Sequence, residues 1–221
     1  MKILMKIGVA VFAMFALVIV GIFGWLFLYT GDLPDVGRLA QFAPDAPAVV
    51  SVPCLLKSIT VVPASQVGKE LREAIQAVEP EKMRSFQVTR LVLCGEWRRS
   101  NLKYALDQYR LIPRIRWHFS KDEIFTIYMN QVYFGDDMHG VEDASRHFFG
   151  KNASSLSVAQ AALLAGMIRA GDALSPYRHA DRAFRRRHEV IEAMRAQGNL
   201  SAEEAAKAEA EPLGVLPIPT N

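Results

Sequence analysis

The chain has 221 residues, of which 51% are hydrophobic and 22% are charged, and its formal net charge is +3. About 190 residues follow an N-terminal apolar run, enough for one ordinary domain with a sizeable core. The sequence contains no repeats, no low-complexity tracts and no Cys/His spacing typical of a metal site, which argues against repeat proteins and zinc modules.

The N-terminal apolar run is typical of a membrane anchor. Lys2 and Lys6 precede the uncharged stretch Ile7–Tyr29, which at about 1.5 Å per residue can cross a hydrocarbon core about 30 Å thick. The run is longer than the apolar part of a signal peptide, and no small-x-small cleavage site follows it, which favours an uncleaved anchor. Lysines before the run and Asp32 and Asp35 after it predict an N-terminus inside and the remaining chain outside.

The next stretch, residues 32–66, is predicted to be a linker with short extended segments. Pro, Asp and Gly are frequent in it, and strand signals are confined to "AVVSV" and "SITVV". Cys54 and Cys94 both fall on the outer side of the predicted membrane. They are candidates for a disulfide that closes a loop of about forty residues and stabilises by about 3 to 4 kcal/mol, with two unpaired thiols as the open alternative.

A helix that ends in a carboxylate comes next. "VGKELREAIQAVEPE" places Leu71, Ala74 and Ile75 on one helical face and predicts an amphipathic helix that ends at Glu79, before Pro80. The carboxylate of Glu79 then faces the negative end of the helix dipole, which predicts a slightly raised pKa.

Further helix signals follow through the rest of the chain. They are Leu102–Phe119, in which Pro113 predicts a kink or break, a capping box at Ser120 and Glu123, a short helix that ends at Gly150, a capping box at Ser157 and Gln160, a long helix closed by Gly198, and a capping box at Ser201 and Glu204. "AALLAGMI" is predicted to be the central buried helix, and the run Arg185–Arg187 a solvated helix face. The domain is therefore predicted to be mainly α.

The basic residues indicate the kind of partner. Arginine and lysine are concentrated between Arg84 and Arg187, whereas acidic residues are spread more evenly. A basic face held near a bilayer meets lipid phosphates first, so an anionic, membrane-bound partner is favoured. Nucleic acid does not suit an exported and tethered domain.

Three motifs in order resemble a known family. "SKDEIFTIYMNQVYFG", "GVEDASRHFFGK" and "LSVAQAALLAGMIRA" resemble the C-terminal half of the peptidoglycan glycosyltransferase domain, glycosyltransferase family 51. This domain occurs in class A penicillin-binding proteins and monofunctional transglycosylases. The likeness is nearly continuous from Phe86 to Leu213.

The resemblance implies an architecture and a location. It implies an anchor over residues 1–31, the linker over 32–66, and a lysozyme-like, mainly α transglycosylase domain over 67–221. The protein is expected at the bacterial inner membrane as a single-pass protein, with its soluble domain on the periplasmic, outer face. Expected partners are lipid-linked peptidoglycan precursor or glycan strand, the membrane and cell-wall synthases.

The resemblance also implies site residues. In the family a glutamate acts as general base on an acceptor sugar hydroxyl, and Glu79 stands in that register. Basic residues, a second glutamate and often a divalent metal, Mg²⁺ or Mn²⁺, stabilise the departing pyrophosphate. Candidates for pyrophosphate binding are Gln87, Arg90, Lys103, Arg110 and Arg114, and cleft support is expected from Asn130, Tyr133, Phe134 and Gly135.

The sequence departs from the family at the catalytic positions. Pro80 replaces the aspartate after the first glutamate, and Gln108 stands where the second glutamate belongs. Tyr104 and Ala105 stand at the positions of a basic pair. Because "QVTR" at Gln87 follows Glu79 almost at once, most of the donor-side lobe is predicted to be missing.

Two functions remain open on the sequence. The first is a trimmed transglycosylase that uses Glu79 as base, and the second is a non-catalytic, membrane-anchored module that binds precursor, glycan strand or a synthase. A third possibility, a decaying gene product without a role, is disfavoured by the ordered capping boxes. Loss of a charged transition-state contact commonly costs about 3 kcal/mol, so Gln108 places enzymatic activity in question.

Overall fold

The structure is a computed structural model that describes residues 2–28, 33–52, 57–93 and 102–217, without the side chains of residues 2–10, 26–28, 102 and 103. The chain divides into two compact units, Met1–Asp35 and Val36–Asn221. The second unit is mainly helical, as predicted.

The first unit consists mostly of helix α1, Lys2–Leu28. Its large apolar side chains are exposed where they are described, with Phe12 at 78% and Leu17 at 71%. Within the described residues, no helix meets the length and hydropathy of a membrane span. The transmembrane helix predicted over Ile7–Tyr29 therefore finds no support among the described helices.

The second unit begins with a 3-10 turn and a hairpin. Strand β1, Ala48–Val52, pairs antiparallel with β2, Lys57–Val61, with Val50 opposite Ile59. Strand β1 coincides with the signal "AVVSV", and β2 begins and ends one residue before the signal "SITVV". The 3-10 turn and the hairpin contribute buried side chains to this unit, namely Leu39, Phe42 and Ile59. Cys54 and Cys94 lie outside the described residues, so the disulfide stays a prediction.

Eight helices follow among the described residues. They are α2 Lys69–Val78, α3 Glu81–Val92, α4 Leu102–His118, α5 Lys121–Gln131, α6 Val141–Phe149, α7 Val158–Met167, α8 Ala180–Ala196 and α9 Ala202–Ala210. The predicted capping boxes at the starts of α5, α7 and α9 are all formed.

Helix α4 contains a proline in its interior. Pro113 lies inside the helix, which continues through it to His118, so the alternative of a break is wrong. Proline removes one backbone hydrogen bond from a helix. On either side of Pro113, Leu111 and Ile115 are fully buried, and their packing holds the segment helical.

Helix α7 forms the centre of the unit. It packs against α8 and α2, and each of its residues from Ala161 to Met167 is buried. Gly166 allows the closest approach, because a Cβ atom there would lie 2.9 Å from Cγ of Arg186 on α8. The prediction of a central buried helix at "AALLAGMI" is confirmed.

The arginine run on α8 is only partly solvated. Arg187 is 1% exposed, and its guanidinium donates to the carbonyl oxygens of Pro212 at 3.0 Å and Glu211 at 2.8 Å. For Arg187 the prediction of a solvated face is therefore wrong. A buried guanidinium needs acceptors, and the C-terminal segment supplies them from its backbone.

Candidate functional site

Glu79 lies at the junction between α2 and α3. Its backbone is extended, with φ −118° and ψ 102°, as expected for a residue that precedes proline. Helix α3 then begins at Glu81, directly after Pro80. Nη1 of Arg84 donates to the carbonyl oxygen of Glu79 at 2.6 Å and fixes the junction. The short connection brings the carboxylate and the helix that carries Gln87 close together in the chain.

The side chain of Glu79 is buried among arginines. It is 2% exposed, and its Oε1 atom lies 3.7 Å from Nη1 of Arg169. Its Oε2 atom has no hydrogen-bond partner among the described residues. Burial raises the pKa of the Glu79 carboxyl, and the charges of Arg169, Arg84 and Arg186 oppose this rise. A raised carboxyl pKa is typical of a general base that works near neutral pH.

Arg169 was not among the predicted site residues. It follows α7, in the left-handed backbone region with φ 71°, a conformation that is rare for residues with a Cβ atom. Its side chain is 54% exposed. The sequence signal was a single arginine at the end of an otherwise apolar segment.

A cavity of about 820 Å³ lies next to this carboxylate. Gln87 and Arg90 line it from α3, Tyr104 from α4, Tyr128 and Tyr133 from α5 and β3, and Arg169 from the segment after α7. Glu79 is not one of the residues in the cavity wall, but the wall residue Arg169 contacts it. Arg169 is therefore the link between the cavity and the candidate base Glu79.

Tyr128 is a second polar group at this wall. The side chain is fully buried, and its hydroxyl has no hydrogen-bond partner among the residues described. Burial and the nearby Glu79 carboxylate raise the pKa of the Tyr128 hydroxyl, so it stays protonated. Tyr128 is thus available as a hydrogen-bond donor.

A short hairpin forms another part of the wall. Strand β3, Tyr133–Gly135, pairs with β4, Met138–His139, across a turn in which Asp136 and Asp137 both have positive φ. The Tyr133 hydroxyl donates to Oδ2 of Asp172 at 2.8 Å. This bond joins the hairpin to the segment that follows α7.

Gly135 allows this contact for a steric reason. Its φ is +92°, and a Cβ atom would lie 2.9 Å from the carbonyl carbon of Gly171. Any other residue would push the hairpin away from Gly171, and with it the ring of Tyr133.

Asn130, two residues after Tyr128 on α5, forms hydrogen bonds to distant parts of the chain. It is fully buried, its Nδ2 donates to the carbonyl oxygens of Phe42 at 2.9 Å and Val62 at 2.8 Å, and its Oδ1 accepts from the Val62 amide at 3.0 Å. One side chain thereby joins the 3-10 turn, the end of β2 and α5. Its role is to position α5, which carries Tyr128.

Asn130→Ala is expected to lower the free energy of unfolding by about 3 kcal/mol or more, because three buried backbone groups lose their partner. Chemical denaturation of the full chain in detergent measures this loss. Asn152→Ala is the matched control, because Asn152 is exposed and makes no side-chain capping bond; it should change stability by less than about 0.5 kcal/mol. Equal effects of the two substitutions would contradict the assigned role of Asn130.

Comparison with known proteins identifies the family. A family model described as Transglycosylase matches residues 83–195, just over half of the chain. The chain belongs to the transglycosylase family, glycosyltransferase family 51. The matched stretch begins four residues after Glu79, so the role of Glu79 depends on its geometry.

The relatives of this chain are much longer proteins. Penicillin-binding protein 2D of Bacillus subtilis (strain 168) is 38% identical over 105 residues, which cover 48% of this chain and 15% of that protein. Penicillin-binding protein 1A of Aquifex aeolicus (strain VF5) is 35% identical over 118 residues, 53% of this chain and 16% of that protein. The chain thus matches about one sixth of the length of these relatives.

A solved structure supports the fold. The crystal structure of penicillin-binding protein 1A from Haemophilus influenzae aligns with 72% of this chain and 18% of its own, with a TM-score of 0.52 and 22% sequence identity. At this identity the match shows the fold alone.

The transglycosylase fold brings only some of the predicted residues to the cavity. Gln87, Arg90 and Tyr133 line it. Gln108 is 7% exposed, and its Nε2 donates to Oγ1 of Thr89 at 3.4 Å, between α4 and α3. Arg110 instead forms an ion pair of 3.0 Å with Asp107.

The other predicted residues have different positions. Phe134 is fully buried and belongs to the core. Arg114 lies on α4 and does not line the cavity within the described parts of the chain. The side chain of Lys103 is not among those that the structure describes. Pyrophosphate binding by Lys103, Arg110 and Arg114 stays a prediction.

The described residues do not fit a protein-held divalent metal. No group of three or more His, Cys, Asp or Glu among them is placed to bind one. Asp172 lines the cavity, but its oxygens accept from Tyr133 and from the Asp136 amide. Arginines surround Glu79, and Gln108 supplies an amide in place of a carboxylate.

Proposed function

We propose that this chain is a peptidoglycan glycosyltransferase that acts on lipid-linked disaccharide-peptide precursor. The observation that carries the proposal is Glu79, a buried carboxylate with a raised pKa beside a cavity that two arginines line. A positioned carboxylate can take the proton of an acceptor sugar hydroxyl as that oxygen attacks the donor sugar.

The remaining groups at the cavity suit the charge changes of such a transfer. The departing pyrophosphate gains negative charge, and preorganised cations stabilise charge where it develops. Arg90 and Arg169 line the cavity and are the candidates for this role. The Tyr128 hydroxyl, which is buried at this wall and has no partner in the described structure, keeps a hydrogen-bond donor beside Glu79.

The proposal is tested with the purified full chain in detergent. It is incubated with labelled lipid-linked disaccharide-peptide precursor, with and without Mg²⁺ or Mn²⁺, and both binding and glycan-chain formation are followed. Polymer that is lost on substitution of Glu79 supports the proposal. Absence of polymer under all of these conditions overturns it.

A second function has support from three observations. Gln108 is neutral, and Glu79 is not part of the cavity wall. In addition, α2 ends at Val78 and α3 begins at Glu81, which leaves no room for the donor-side lobe between Glu79 and Gln87. The second candidate is therefore a non-catalytic module that binds precursor, glycan strand or a cell-wall synthase. Saturable binding of the precursor without polymer favours it.

Under either function we propose a single-pass protein of the bacterial inner membrane, with the second unit on the periplasmic face. The uncharged run Ile7–Tyr29 and the exposed apolar side chains of α1, such as Phe12 and Leu17, support an anchor. In membrane fractions the chain is expected to resist extraction by alkaline carbonate, and a chain that lacks residues 1–31 is expected to be released. Release of both chains would contradict the anchor.

A further inference from the structure

Arg169 connects the cavity to Glu79. Arg169 lines the cavity, its side chain is 54% exposed, and its Nη1 atom lies 3.7 Å from Oε1 of Glu79, a separation too long for a hydrogen bond. The pair is therefore an ion pair that another anion can displace. The next two residues, Ala170 and Gly171, also line the cavity, so displacement needs only a rotation of the exposed Arg169 side chain.

The backbone of Arg169 indicates that its position has a use. A left-handed conformation is unfavourable for a residue with a Cβ atom, and Arg169 adopts one with φ 71°. Gly171, two residues later, also has a positive φ, of 46°, with no Cβ to clash. Strained non-glycine residues are concentrated at sites where the strain places a functional group.

The other charged groups around Glu79 lie on different elements. Arg84 on α3 donates to the backbone oxygen of Glu79, Arg186 on α8 acts only through space, and Tyr128 on α5 is neutral. Among these cations, Arg169 opposes the effect of burial on the Glu79 pKa most strongly. Loss of the Arg169 charge would therefore raise the pKa of Glu79 more than loss of the charge of Arg84 or Arg186.

We propose that Arg169 couples anion binding in the cavity to the protonation of Glu79. An anion such as a phosphate or sulfate group attracts the guanidinium and leaves the buried carboxylate without its nearest cation. The negative charge of the anion also disfavours the ionised form of Glu79. Glu79 consequently holds a proton more tightly when the anion is bound, and by thermodynamic reciprocity the anion binds more tightly when Glu79 is protonated.

If the chain has the function proposed above, the coupling would assist the transfer reaction. A substrate pyrophosphate that engages Arg169 would make Glu79 a stronger base at the moment the acceptor hydroxyl is in place. The proton then comes from that hydroxyl and passes to the Glu79 carboxylate. With a simple anion and no acceptor, the proton comes from the buffer.

The test measures sulfate binding to the full chain in detergent by titration calorimetry. Sulfate stays a dianion from about pH 5 to about pH 8, so a change of its affinity across this range reports the titration of a protein group and not of the sulfate. We expect binding about tenfold tighter at the lower pH. We also expect uptake of a proton, visible as a dependence of the heat on the ionisation enthalpy of the buffer.

Three variants separate the contributions. In Glu79→Gln, proton uptake by this group should vanish and sulfate should bind tightly at both pH values, apart from any contribution of His139, which also lines the cavity. In Arg169→Gln, sulfate affinity should fall by about tenfold or more. Arg195→Gln, which removes an exposed arginine paired with Glu192 on α8, should bind like the unsubstituted chain.

Several results would overturn the proposal. They are no sulfate binding by the unsubstituted chain, equal sulfate affinity of Arg169→Gln, and wild-type proton uptake in Glu79→Gln. None of these measurements uses precursor or turnover. A failure to form polymer therefore leaves the coupling intact, and a failure of the coupling leaves polymer formation to be judged by its own assay.

Discussion

Leu164→Lys is expected to unfold the second unit or to lower its free energy of unfolding by about 4 kcal/mol or more. Leu164 is fully buried in α7, which packs against α2 and α8. A lysine there either carries an unpaired charge into the core or loses its proton to avoid doing so, and both cost free energy. The loss is a large share of the roughly 5 to 15 kcal/mol that is typical of a domain, at about one quarter or more.

The measurement is thermal unfolding of the full chain in detergent, followed by circular dichroism. Leu106→Lys is the matched control, because the same substitution is made on α4 at a leucine that is 39% exposed. It should change stability by about 0.5 kcal/mol or less. A melting curve of Leu164→Lys that coincides with that of the control would show that α7 is not the core.

The sequence predicted the elements whose signals are local. The capping boxes of α5, α7 and α9 each lie within four residues and are all present. Helix α3 was missed because its buried face includes the polar residues Ser85 and Thr89 beside Val88 and Val92. Without an apolar stripe, periodicity could not reveal it.

The candidate site was harder to predict because its contacts are distant in sequence. Family register pointed to Glu79, but its ion pair with Arg169 joins residues far apart in the chain, across the junction of α2 with α3 and the end of α7. Asn130 likewise joins Phe42 and Val62, 88 and 68 positions away. Neither kind of contact leaves a periodic signal. The left-handed conformation of Arg169 has no sequence signature either, because such positions usually carry glycine.

Glu79→Gln is expected to reduce glycan-chain formation by about a hundredfold or more, because general bases contribute about 10² to 10⁴ to the rate. Glutamine keeps the size of the side chain and cannot take a proton. Binding of labelled precursor should change far less than polymer formation, since the substitution leaves the cavity residues Arg90, Tyr133 and Arg169 in place.

The pH profile of the unsubstituted chain gives a second check on the same residue. A base works only when it is deprotonated, and the pKa of Glu79 lies above its ordinary value of 4.5 because the side chain is buried. Activity should therefore fall as the pH drops through this raised pKa, so the acid limb should lie above 4.5. An acid limb at or below the ordinary value would assign the base to another group.

Stability should move in the opposite sense to activity in Glu79→Gln. A carboxyl whose pKa is raised on folding destabilises the protein as the pH rises through the interval between its unfolded and folded values. Glutamine removes this penalty, so the variant should be as stable as the unsubstituted chain at neutral pH, or more so. Loss of polymer with an intact melting curve therefore identifies a catalytic defect and excludes unfolding.

Glu203→Gln, at an exposed position on α9, serves as the matched control and should retain both polymer formation and stability. Polymer formation by Glu79→Gln at the rate of this control would remove Glu79 from the mechanism and leave the transfer without the buried carboxylate on which it was proposed.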